Sequence, residues 1–139
     1  MKTAAIVPAL ALAASAFAAP APNAQLQKQI QTLEIQIVNI VNDIVQSNPN
    51  LKTDYNAGTG QYATLINKLQ GPQPCSPFFP GKPTTKKQAI KALQSSQEGL
   101  MQLSLDLQNP ANVIAEGDLH ADICTAWGYY GAISSFVGA

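Results

Sequence analysis

Apolar residues recur through the first third of the chain at alternating steps of four and three. Leu26, Ile30, Leu33, Ile37, Ile40 and Ile44 make the series, the seam of a long amphipathic helix. Val38, Val41 and Val45 widen its second half, which predicts neighbours on two sides. Ile35 stands apart, near the middle of the polar arc. Asn48-Pro49-Asn50 ends the helix, because Pro restricts the residue before it and Asn suits turns. The spacing resumes at Leu51, Tyr55, Gly58, Tyr62, Leu65 and Leu69. In this second helix Gly58 and Gly60 mark a kink, a close approach to the first helix, or a break with the firm helix opening at Gln61. Ala89, Leu93, Ser96, Leu100, Leu103 and Leu107 give a third seam, and Thr85 with Gln88 fits a capping box. Asn109-Pro110 ends it and can open a fourth helix, with Asn as cap and Pro at the first helical position. Gly117-Asp118 can interrupt that helix and recap it. Ala121, Cys124, Thr125, Gly128, Gly131, Ala132 and Ser135 then give it a face of small residues.

The pattern predicts an all-α fold, a small four-helix bundle near residues 23–47, 51–69, 85–108 and 111–136. The short link at 48–50 makes the first two helices antiparallel neighbours. Residues 71–83 form a Pro-rich loop, since Pro72, Pro74, Pro77, Pro80 and Pro83 forbid a regular helix. Phe78 and Phe79 within it either plug the end of the bundle or form an exposed contact. The plug is the expected role, because Cys75 pins the loop to the body.

Residues 1–18 read as a secretory signal peptide: Lys2 is the charged start, residues 4–14 the apolar run, and Ala16-Phe17-Ala18 the cleavage site. That run is too short for a transmembrane helix, and no later segment qualifies. Residues 19–139 are then a single secreted helical domain, released or attached to the cell wall. In such a chain the two cysteines, Cys75 and Cys124, read as one disulfide. A closed loop of nearly fifty residues stabilises by about 4 kcal/mol through the unfolded state.

Lys and Asp plus Glu balance to a formal net charge of zero, so nucleic-acid binding has no electrostatic support. Arg is absent, and with it the usual bidentate clamp for phosphate or carboxylate. Glu116, Asp118, His120 and Asp122 are the only dense titratable cluster. Glu116 and His120 share one helix face, Asp118 and Asp122 another, which splits the set as metal ligands. A solvated helix start with acids near its positive end explains the cluster better. His120 as a general base lacks a nameable nucleophile or oxyanion hole. The expectation is no enzyme, no cofactor and no metal. Trp127, Tyr129, Tyr130 and Phe136 spread around the last helix; the core takes some, and the others are free for a partner or ligand. The candidate apolar contact residues are therefore Ile35, Val38, Val45, Phe78, Phe79, Trp127 and Tyr130.

An Ala-Pro start at residues 19–22 and low-charge amphipathic helices rich in Gln, Ser and Ala complete the layout. Over residues 26–107 that layout resembles the fungal secreted hydrophobic-surface-binding and cell-wall galactomannoprotein family. The resemblance implies a non-catalytic protein that adsorbs to apolar surfaces or binds lipid. Two readings follow. The first is a secreted helical protein whose partner is a lipid, a hydrophobic surface or a cell-wall component. The second is a protein-interaction module, an effector or inhibitor, that presents the Pro-rich loop.

Overall fold

A computed structural model describes residues 21–70, 75, 80–109, 111–112 and 114–138. They form four long helices and a terminal turn: α1 (Ala21–Gln46), α2 (Leu51–Gln70), α3 (Lys86–Gln108), α4 (Glu116–Gly131) and α5 (Ser134–Val137). No strand occurs among the described residues, and no helix there is long and apolar enough to cross a membrane. The signal-peptide expectation falls on residues outside this set.

All six residues of the first seam are buried, as are Tyr55, Tyr62, Leu65 and Leu69 of α2 and the six seam positions of α3. α1 packs on α2 and α3, and α4 packs on the same two. Contacts along the helices fix their directions. The Gln36 amide donates to the Asp54 carbonyl near one end of the α1–α2 pair, and Lys68 donates to Gln25 near the other, so the pair is antiparallel. The Gln27 amide donates to the Ser104 carbonyl and Lys86 to the Ser47 hydroxyl, so α1 and α3 are antiparallel too. α2 and α3 thus run the same way on opposite corners. Their connection must travel back along the bundle, about 30 Å for a helix of this length. Fifteen residues separate Gln70 from Lys86, enough to span about 50 Å when extended. The long Pro-rich segment follows from that topology, and its described residues 75 and 80–84 are non-helical.

The α1–α2 link closes on a Schellman motif. The Asn48 N–H donates to the Asp43 carbonyl at 2.8 Å and the Ser47 N–H to that of Ile44 at 3.3 Å. Ser47 takes the left-handed conformation usual for Gly, with φ 53°. Asn48 Oδ1 then accepts from the Asn50 N–H, turning the chain into α2.

At the start of α3, Thr85 caps the Gln88 N–H as expected. The reciprocal arm differs: Gln88 Oε1 accepts from the Thr84 N–H, one residue before the cap.

α2 is continuous through Gly58 and Gly60, as the predicted span of 51–69 requires, so of the alternatives there the break does not occur. The close approach at Gly58 is to Tyr130 of α4, as well as to Gln36 of α1. One boundary is corrected: the fourth helix opens at Glu116, not at 111. Asn109 does not cap it, because its side chain accepts from the Ala111 N–H two residues on, and Asn112 donates to the Asp106 carbonyl, folding the link back on α3. At its far end α4 stops at Gly131, and one further turn, α5, ends at Gly138 in the left-handed region.

Candidate functional site

The core between α2 and α4 is aromatic. Tyr55 and Tyr130 stack with centroids 4.8 Å apart and planes 9° from parallel, and Tyr62 tilts against both Trp127 and Tyr130. The Tyr130 hydroxyl donates to the Tyr55 carbonyl at 2.8 Å. Ser96 donates its one hydroxyl proton to the Ala126 carbonyl at 2.9 Å, so the Tyr62 hydroxyl is the donor in its 2.7 Å bond to Ser96. Burial pushes the Tyr62 and Tyr130 phenols well above their ordinary range. Tyr130, expected as a contact residue, is thus a core residue with no exposed surface. Trp127 is half-buried against the core. Phe78 and Phe79 lie outside the described residues.

The other three candidates are at the surface: Ile35 is 62% exposed, Val38 43% and Val45 60%. Positions 27, 34, 38 and 45, spaced 7, 4 and 7, share one line of α1, and Gln27 on that line reaches α3. Val38 and Val45 therefore border the α1–α3 seam, and Ile35, three residues before Val38, extends them outward. On α3, Met101 and Leu105 are also exposed and lie off the core seam, four residues apart on one face. The large apolar side chains exposed among the described residues thus all belong to one pair of packed helices. Met101 and Leu105 were not singled out from sequence, although their departure from the seam positions 100, 103 and 107 was legible.

A groove of about 440 Å³ lies between α1 and α2. Gln29, Thr32, Gln61 and Thr64 supply its polar wall, and Ala57 and Gly60 keep it open. A Cβ at Gly60 would meet nothing within 4 Å. The side-chain oxygens of Gln29 and Gln61 are buried and unpartnered.

Cys75 and Cys124 are bonded, with Cα atoms 5.3 Å apart. His120, one turn before Cys124 on α4, places Nε2 3.6 Å from its sulfur. Glu116 and Asp118 occupy the first turn of α4 and are exposed. The Asp122 carboxyl is pushed up by burial and then by the charges of Asp118 and Asp106.

A second carboxyl pair joins α1 to α2. Asp43 is buried, and its pKa is raised to about 6, first by a hydrogen bond with Asp54, then by burial and by the Asp54 charge. Comparison with protein-family models, with curated proteins and with solved structures finds no match.

Proposed function

We propose that this chain is a secreted, non-catalytic binding protein that adsorbs to apolar matter, a lipid or a hydrophobic surface, along the outer face of α1 and α3. The observation that carries this reading is the confinement of Ile35, Val38, Val45, Met101 and Leu105 to those two helices. Apolar surface marks sites of association where neighbouring side chains join, as Ile35 with Val38 and Met101 with Leu105 do on successive turns of their helices. The Cys75–Cys124 disulfide fits an oxidising environment. Full burial of a Val, Leu or Ile is worth about 1.5–3 kcal/mol, and these are half exposed, so the five offer roughly 5 kcal/mol before association costs. The expected binding is weak per molecule and broad in partner.

The test is retention of the full chain on a hydrophobic resin and titration with a fluorescent fatty acid. Val38→Ser, Val45→Ser and Leu105→Ser together should lower both while leaving the helical dichroism unchanged. Equal retention of the triple variant would refute this face as the binding surface and favour the interaction reading with the Pro-rich loop.

The groove between α1 and α2 supports a second reading. Its wall of Gln and Thr is uncharged, which suits a neutral hydroxylated ligand such as a cell-wall saccharide. Titration with neutral oligosaccharides against Gln61→Ala separates this from adsorption: a saccharide response lost in the variant would support it, and no response would remove it.

A further inference from the structure

The corner formed by Cys75, His120 and Cys124 holds more than a staple. Their ligand atoms, the two sulfurs and one imidazole nitrogen, lie within 4.8 Å of one another. They come from two separate segments: Cys75 from the connection between α2 and α3, His120 and Cys124 from adjacent turns of α4. The helix sets His120 and Cys124 on one face by their four-residue spacing. Its backbone therefore keeps that pair in place whatever the oxidation state of the sulfurs.

We propose that reduction of the Cys75–Cys124 bond turns this corner into a metal site, with two thiolates and the His120 imidazole as ligands for a thiophilic divalent cation of the zinc class. A tetrahedral zinc with Zn–S of about 2.3 Å and Zn–N of about 2.0–2.1 Å sets an N···S separation of about 3.6 Å. His120 Nε2 already lies 3.6 Å from the Cys124 sulfur. The same geometry sets S···S at about 3.8 Å, so the sulfurs need only part from bonding contact. Cα atoms 5.3 Å apart permit that by side-chain rotation. Three protein ligands leave one position of a tetrahedral ion for water.

The chemistry balances with a dithiol reductant. The disulfide takes two electrons and two protons to become two thiols while the reductant closes to its own disulfide. Zinc then displaces the two thiol protons and binds the thiolates. The covalent staple and the metal are mutually exclusive occupants of one site. Either would fasten the connecting segment to α4, so zinc can replace the constraint that reduction removes.

The experiment uses the full chain, oxidised and after reduction with a dithiol that is then removed, followed by zinc titration, native mass spectrometry and far-ultraviolet dichroism. The expected result is one zinc per reduced chain and none per oxidised chain, with helical dichroism retained or restored by the metal. Cobalt in place of zinc should give a thiolate-to-metal charge-transfer band. His120→Ala, whose fold is checked in its oxidised form, should bind zinc at least about tenfold more weakly after reduction, since even outer-shell partners of metal ligands contribute that much. The proposal is overturned if the reduced chain takes up no more zinc than the oxidised one. It is equally overturned if His120→Ala binds as tightly as the parent, or if zinc binds only to a chain that has lost its helices.

Discussion

The Tyr130 hydroxyl fills the place that a side chain at Gly58 would need. A Cβ built on Gly58 would fall on that oxygen and come within 2.7 Å of Tyr130 Cζ. The absence of a side chain in the middle of α2 lets the Tyr130 ring enter, stack on Tyr55 and donate to the Tyr55 carbonyl. In an exposed helix Gly→Ala gains up to about 1 kcal/mol. Here overpacking of about 1–3 kcal/mol and a displaced hydrogen bond oppose it. Gly58→Ala should therefore lower the urea midpoint, with a net loss of roughly 1–3 kcal/mol. Gly60→Ala, where a Cβ meets nothing, should leave the midpoint unchanged or raise it. If both substitutions stabilise equally, the Gly58–Tyr130 contact has no energetic weight. Adding Tyr130→Phe to Gly58→Ala should recover part of the loss, because it removes the atom most in the way.

The chain from Tyr62 through Ser96 to the Ala126 carbonyl links three helices with two hydrogen bonds. Ser96 is fully buried. Removing its hydroxyl leaves the Tyr62 O–H without an acceptor in the core, which costs about 1–3 kcal/mol. Ser96→Ala is expected to lose that much in chemical denaturation. Tyr62→Phe with Ser96→Ala should cost less than the sum of the two singles, as members of one network couple. Additive losses would show that the two hydroxyls act independently.

The helix seams were legible because burial on one side imposes a period that the side chains must obey; every residue of the 26–44 series is in the core. The sequence also placed Val38 and Val45 at the margin of α1 and matched the cysteines. What was not legible depended on rotation and cross-chain fit. Tyr130 lies on a helix whose small face and scattered aromatics conceal which side is inward, and only the space above Gly58 decides it. The start of α4 was misplaced because Asn109 satisfies its own turn instead of capping a helix. The Cys75–His120–Cys124 corner joins residues forty-five or more apart with four-apart ones, so no local spacing could announce all three.

Stability should be greatest in mild acid. The carboxyls of Glu34, Asp43 and Asp122 are all raised from their ordinary values, Asp43 to about 6. A raised carboxyl pKa means the native state binds protons more tightly than the unfolded chain. Its stabilising share is complete below the unfolded value near 3.8 and is lost as pH rises through about 6 for Asp43. The denaturation midpoint should therefore be higher near pH 4.5 than near pH 7.5, by roughly 2 kcal/mol of stability if Asp43 dominates. Asp43→Asn keeps a hydrogen-bond donor beside Asp54 and removes the charge, so it should raise stability at neutral pH and flatten the dependence. Stability that rises between pH 5 and 7.5 in the parent chain would contradict this sign.

The staple at Cys75 acts on the unfolded chain more than on the folded one. It closes a loop of sequence separation 49, which in the chain-entropy model removes about 4 kcal/mol of unfolded-state freedom. It also ties the connecting segment to α4, which the helix seams alone do not do. Cys75→Ser should lower stability by roughly 2–5 kcal/mol. Because the folded helices lose no core side chain (Cys75 is only half-buried), the far-ultraviolet dichroism of the variant at low temperature should match the parent. Intact mass of the parent under non-reducing conditions should lie two hydrogens below the reduced value. A denaturation midpoint unchanged in Cys75→Ser would show that the four seams hold the bundle without it, and the stabilising role argued for the disulfide would then fall.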